Sequence, residues 1–114
     1  MLDRPAMHAE YADRLRRVRE AMAQHAFGAL VVCDPANLFY LTGYNAWSFY
    51  TPQCLLVPAD GHPHLFARAM DAAGAAFTSN LAADHIHGYP EELVHRPDVP
   101  PFDWIAARVR RLVP

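Results

Sequence analysis

The chain has 114 residues, 53% of them hydrophobic and 19% charged, with a formal net charge of −2. A single domain of that length buries roughly two-thirds of its unfolded surface, and the near-neutral balance supplies no drive toward nucleic acid or an anionic membrane. No apolar run approaches the roughly 20 residues of a membrane span, and the N-terminus lacks a basic flank followed by an apolar run, so the chain reads as cytoplasmic.

Residues 1–8 carry Pro5 and no periodicity, and are expected to form a flexible arm ahead of a domain over 9–114. Tyr11, Leu15, Val18 and Met22 then recur at one-face helical spacing, predicting an amphipathic helix. Burying those four contributes on the order of 6–12 kcal/mol, which accounts for a docked helix and not for a function. Arg14, Arg16, Arg17 and Arg19 alternate with Glu10, Asp13 and Glu20, the pattern of a solvated, salt-bridged face. The run A-L-V-V-C at 29–33 reads as a central strand buried on both faces. Asp34, Pro35 and Gly43 supply an N-cap, a first helical residue and a left-handed stop, so a helix of about two turns follows. Q-C-L-L-V-P at 53–58 is a second buried strand, and the turn signal A-D-G leads into its hairpin partner H-L-F-A at 64–67. Residues 68–77 are alanine-rich and helical, with Met70 and Phe77 on one face. D-H-I-H at 84–87 is a third short strand, broken by G-Y-P. A proline-rich connector precedes a last helix, capped by Asp103, that aligns Ile105, Val109 and Leu112. The predicted architecture is an α/β sandwich: a small mixed sheet flanked by helices. The helix followed by Leu-Val-Pro at 112–114 reads as a linker toward a further domain.

The stretch over 34–53 (D-P-A-N-L-F-Y-L-T-G-Y-N-A-W-S-F-Y-T-P-Q) organises the rest. It holds six of the thirteen aromatic residues, Phe39, Tyr40, Tyr44, Trp47, Phe49 and Tyr50, and its second half fits neither a helix nor an alternating strand. Such a segment is either tucked into a core or offered to a ligand or partner. Trp47, Phe49 and Tyr50 are the candidates for a pocket wall. Arg68 and Asp71 open a helix directly after a strand; they read either as a local ion pair or as a guanidinium fork for a substrate carboxylate.

Other chemistry is poorly supported. His62 and His64, like His85 and His87, are spaced to share a strand face, yet neither pair has a cysteine or a suitably spaced acid beside it, so no metal ligand is assigned. Cys33 and Cys54 sit in apolar strand-like segments and read as reduced, buried thiols rather than nucleophiles. No zinc-protease, nucleophile-elbow, dinucleotide or phosphate-loop motif is present, and no catalytic residue is assigned.

Taken in order, Y-x-x-R-L-x-x-V-R, A-L-V-V-C-D-P-A-N-L-F-Y-L-T-G-Y, W-S-F-Y-T-P-Q, R-A-M-D-A-A-G and G-Y-P-E resemble the N-terminal domain of the creatinase and Xaa-Pro peptidase (prolidase) family. W-S-F-Y and G-Y-P-E look most like the creatinase and ectoine hydrolase branch. The resemblance covers about residues 10–114. It implies a ribonuclease-H-like α/β domain without a catalytic centre or cofactor of its own, ahead of a pita-bread domain that cleaves C–N bonds. That second domain uses two metal ions in peptidase members and none in creatinase-like ones. The resemblance further implies a homodimer in which this domain closes the partner subunit's site over a small zwitterionic or carboxylated substrate. Phe49 matches the phenylalanine that reaches the neighbouring site in creatinase-like members, with Trp47, Tyr50 and Arg68 around it. Thr51 stands where those members carry a substrate-contacting arginine, which disfavours creatine itself; Arg68 would supply the missing charge. A free-standing module for small zwitterions and a purely structural pairing domain are the other two readings.

Overall fold

The computed structural model describes residues 4–45, 51–95, 98 and 100–113. Helix α1 (Arg4–Gln24) leads into strand β1 (Ala29–Val32) and helix α2 (Pro35–Thr42). Strands β2 (Cys54–Pro58) and β3 (His64–Arg68) follow, then α3 (Ala69–Thr78), β4 (Ile86–Tyr89) and α4 (Pro101–Leu112). Short 3-10 turns at Ala83–His85 and Glu91–His95 flank β4.

The four strands form one mixed sheet in the order β1-β2-β3-β4, with β1–β2 and β2–β3 antiparallel and β3–β4 parallel. The hairpin joins β2 to β3 around Gly61, whose φ of 97° suits glycine. The parallel pair needs a crossover, and α3 supplies it. There α3 lies so close to β4 that a Cβ on Gly88 would sit 2.8 Å from Ala69 Cα.

Alternation along β2 explains its unbroken apolar sequence. Leu55 and Val57 face a cluster with Met22, Leu38, Leu41, Tyr44, Leu65 and Ala75, beneath α1, α2 and α3. Cys54 and Leu56 face the opposite cluster with Phe66, Tyr89 and Ile105, beneath α4. A central strand covered on both sides reads as a continuous hydrophobic run.

The short helix forms as its sequence directs. Asn37 N donates to Asp34 Oδ2 at 3.1 Å, and Gly43, at φ 78°, ends the helix with its N–H on Phe39 O. Other expectations are corrected. β1 is an edge strand, first in the sheet order, and one of its faces is only partly covered: the cluster beneath α4 reaches Ala29 but stops short of Val31, which is 52% exposed. Cys33, just past β1, is exposed for the same reason, while Cys54 is buried. α1 begins at Arg4, inside the expected arm, since Pro5 fits a first helical turn. Met70 and Phe77 do share a face of α3, but it is the outer one, and Ala75 makes the inward contact. Pro100 rather than Asp103 is the N-cap of α4, because Pro101 takes the first helical position. On α1, Arg16 and Arg17 do pair with Asp13 and Glu20 at the surface. Arg14 pairs with Glu10 as well, and Arg14 and Arg19 also tether the helix, donating to the carbonyls of Tyr40 at 2.8 Å and Pro58 at 3.1 Å.

Candidate functional site

Residues 46–50 lie outside the described part of the chain, so Trp47, Phe49 and Tyr50 are not placed. The two ends of that segment are placed, and they are tied together. Directly after the Gly43 stop, Tyr44 turns inward and is buried. Its hydroxyl donates to Gln53 Oε1 at 3.0 Å, so the residues entering and leaving the segment close a loop. Thr42 supports the entry: its hydroxyl donates to Leu38 O at 2.7 Å and accepts from Tyr44 N at 3.0 Å. Tyr89, at the end of β4, pins the exit by donating to Pro52 O at 2.7 Å. Thr51 is buried and hydrogen-bonds with the Tyr89 hydroxyl, so position 51 faces the interior.

Arg68 closes β3 and is the N-cap residue of α3. In the parallel register its partner is Tyr89, which brings the guanidinium to the same end of the sheet as the segment's exit. Arg68 Nε donates to Asp71 Oδ2 at 2.9 Å, with both side chains only 16% exposed. The local ion pair is therefore real, and its burial sets it apart from the weak pairs of a solvated surface. Glu91, just past β4, accepts from Met70 N at 2.6 Å, satisfying an otherwise open donor at the start of α3.

These groups share one electrostatic neighbourhood. Burial first, then the Asp71 carboxylate, pushes the Tyr44 phenol up to about 12, with Arg68 opposing. Burial likewise raises Tyr89, with the Thr51 hydrogen bond and Arg68 opposing. Both phenols are therefore neutral donors near pH 7. Tyr44, Asn45, Asp71, Gly74 and Thr78 line an open cavity of about 300 Å³ beside the ion pair. Gln53 Nε2 is buried and has no acceptor among the described residues. The Tyr44 and Tyr89 hydroxyl protons are committed to Gln53 Oε1 and Pro52 O, so what this neighbourhood brings to the cavity wall is the Asp71 carboxylate with Arg68 paired to it.

Of the predicted site residues, Arg68 is where the sequence puts it, at the strand-to-helix junction. Tyr44, Gln53 and Tyr89 were not singled out. The signals were present: a tyrosine directly after a helix-stopping glycine, and a glutamine leading into an unbroken apolar strand.

The two histidine pairs converge on the α4 side of the sheet. His64 Nδ1 lies 2.9 Å from His87 Nε2, and His62 stacks on His85 with ring centroids 4.4 Å apart. Among the described residues no group of three or more His, Cys, Asp or Glu is placed to hold a metal ion.

The family model described as Creatinase/Prolidase N-terminal domain matches residues 14–113. The chain is 43% identical over 105 residues to a protein named Ectoine hydrolase from Halomonas elongata, covering 92% of this chain and 26% of that one. It is equally 43% identical over 107 residues to an uncharacterized hydrolase/peptidase from Sinorhizobium fredii, covering 93% of this chain and 27% of the relative. The chain thus spans about a quarter of the length of these curated relatives. Among solved structures, the N-terminal domain of an Xaa-Pro dipeptidase from Lactobacillus brevis superposes with a TM-score of 0.68 at 24% identity, over 86% of this chain and 67% of that one. A creatinase-superfamily domain of a dipeptidase from Streptococcus thermophilus gives 0.66 at 26% identity, over 82% and 64%. No described helix is long and apolar enough to cross a membrane.

Proposed function

The chain belongs to the creatinase/prolidase N-terminal domain family, and from that premise we propose that it is the non-catalytic N-terminal domain of a C–N hydrolase, serving to pair subunits and to close the partner subunit's substrate site. The observation that carries the reading is the 43% identity to an ectoine hydrolase across 92% of this chain, although the chain matches only 26% of that enzyme. In this role Phe49, Trp47 and Tyr50 contact the substrate of the closed site, and Arg68 brings positive charge to its edge. The substrate class is a small zwitterionic or carboxylated molecule of ectoine type.

Two features support Arg68 in that role. It stands at the end of the sheet where Tyr89 meets Pro52, and Asp71 holds its guanidinium in place. The Nε donation to Asp71 holds the guanidinium in one orientation. Thr51, buried against Tyr89, is turned away from such contact, so the charge comes from the next strand end.

Incubating the purified chain with ectoine, creatine and Xaa-Pro dipeptides tests the non-catalytic part. No turnover above buffer is expected, and hydrolysis that copurifies with the chain overturns it. Sedimentation of the same sample tests pairing: a dimer is expected, and a monomer at all concentrations counts against that role.

A further inference from the structure

His62, His64, His85 and His87 come from two sequence regions more than a full helix apart, and the fold stacks all four rings together. His64 and His87 sit on neighbouring parallel strands, joined by the 2.9 Å Nδ1···Nε2 contact. His87 also stacks on Phe66 at 4.7 Å. His85 stands edge-on to His64 at 5.1 Å and stacks beneath His62. We propose that this four-imidazole cluster is a proton-operated latch on the β3–β4 pairing, closed when the His64–His87 pair carries at most one extra proton and opened when both rings become imidazolium.

The chemistry follows from the inventory of the ring. A neutral imidazole has one N–H and one lone pair, so the facing nitrogens form a hydrogen bond when one donates and the other accepts. One added proton leaves that bond intact as a cationic donor on a neutral acceptor. A second proton leaves no acceptor, and two N–H groups then face each other at hydrogen-bond distance with like charge behind them. The groups facing the pair reinforce this. His62 comes from the hairpin loop, His85 from the turn before β4 and Arg108 from α4, and they disfavour a proton on the rings they face. β2 offers only Leu56 opposite His64. Among the described residues, Asp84 is the carboxylate that opposes this at His64, and it lies 3.9 Å from His85 and is largely exposed.

Burial, then His87, His85 and His62, hold His64 below the ordinary imidazole range, with Asp84 opposing. Burial, then Arg108 and His85, hold His87 below it as well. With folded values lowered, the unfolded chain takes up these protons first. The stability that the pair contributes is therefore complete above about pH 6.5 and is lost as pH falls below it toward the folded values. The latch lies two residues along β4 from Tyr89, the register partner of Arg68, so opening it loosens the strand that positions that arginine.

A histidine-resolved NMR titration of the intact chain, read together with amide exchange in β3 and β4, tests the latch. His64 and His87 are expected to titrate as a coupled pair below about pH 6.5, and protection of the β3–β4 amides is expected to drop in the same pH range. Independent, ordinary titration with unchanged protection overturns the proposal. As a second measurement, the melting temperature of H64Q and H87Q is compared with wild type from about pH 8 to about pH 5. The variants should lose less on acidification, by roughly 4 °C or more, while H25Q follows wild type. Parallel profiles for all four proteins overturn it.

Discussion

The Tyr44–Gln53 bond closes the loop that carries the aromatic segment, and a double-mutant cycle isolates it. Both residues are 4% exposed, so water cannot replace a lost partner. Tyr44→Phe removes only the hydroxyl and leaves Gln53 Oε1 without its donor, beside an Nε2 that already has no acceptor. A buried polar atom left unsatisfied costs about 1–3 kcal/mol. Gln53→Met strands the Tyr44 hydroxyl at a similar cost, offset in part because the unpaired Nε2 goes with it. The double variant removes donor and acceptor together and fills the space with apolar atoms, which is close to neutral. The expected coupling is therefore about 1–3 kcal/mol, with the double variant more stable than either single one. Urea unfolding followed by circular dichroism, with unchanged m-values, measures all four corners. Single effects that add within about 0.5 kcal/mol refute the reasoning and detach the two ends of the segment.

Gly43→Ala places a side chain at φ 78°, with its Cβ 2.6 Å from the Tyr11 hydroxyl, and should destabilise by about 1–2 kcal/mol through the left-handed backbone. Thermal melts of Gly43→Ala with and without Tyr11→Phe should show partial relief; unchanged stability of the single variant contradicts the capping geometry. A thiol reagent should modify Cys33 alone in the native chain and both cysteines after unfolding. Cys54 is buried and its thiol is pushed up to about 12 by burial, so equal rates contradict its position. The sign of that linkage is fixed: the raised thiol contributes stability below its ordinary value, and that stability is lost as pH rises toward about 12.

Much of the fold is written in local signals. Asp34, Pro35 and Gly43 bound α2 because capping and left-handed φ are properties of single residues. Ala59, Asp60 and Gly61 mark the β2–β3 hairpin for the same reason. What local signals do not carry is which strand lies at an edge. A-L-V-V over 29–32 is as apolar as C-L-L-V over 54–57, yet only β2 is covered on both faces. Coverage depends on where α4 lands, and that is set by Ile105 and Trp104 packing far along the chain. Arg68 is legible because a charged residue at a strand-to-helix junction stands out. The supports at the two ends of the aromatic segment are harder to read, since Tyr44 reaches Gln53 across the segment and Tyr89 reaches Pro52 from a distant strand. The histidine pairs show the same limit: each spacing is visible, but their meeting depends on the parallel pairing of β3 with β4.

Steady-state kinetics of Phe49→Ala in the full-length enzyme that carries this domain tests the gating role most directly, read beside its melting temperature. If the proposed gating role holds, kcat/KM on a small zwitterionic or carboxylated substrate is expected to fall roughly tenfold or more, about 1.4 kcal/mol of transition-state stabilisation. Thermal stability should stay within a few degrees of wild type. A collapse in melting temperature with unchanged kinetics per folded molecule would contradict the account and return Phe49 to the core.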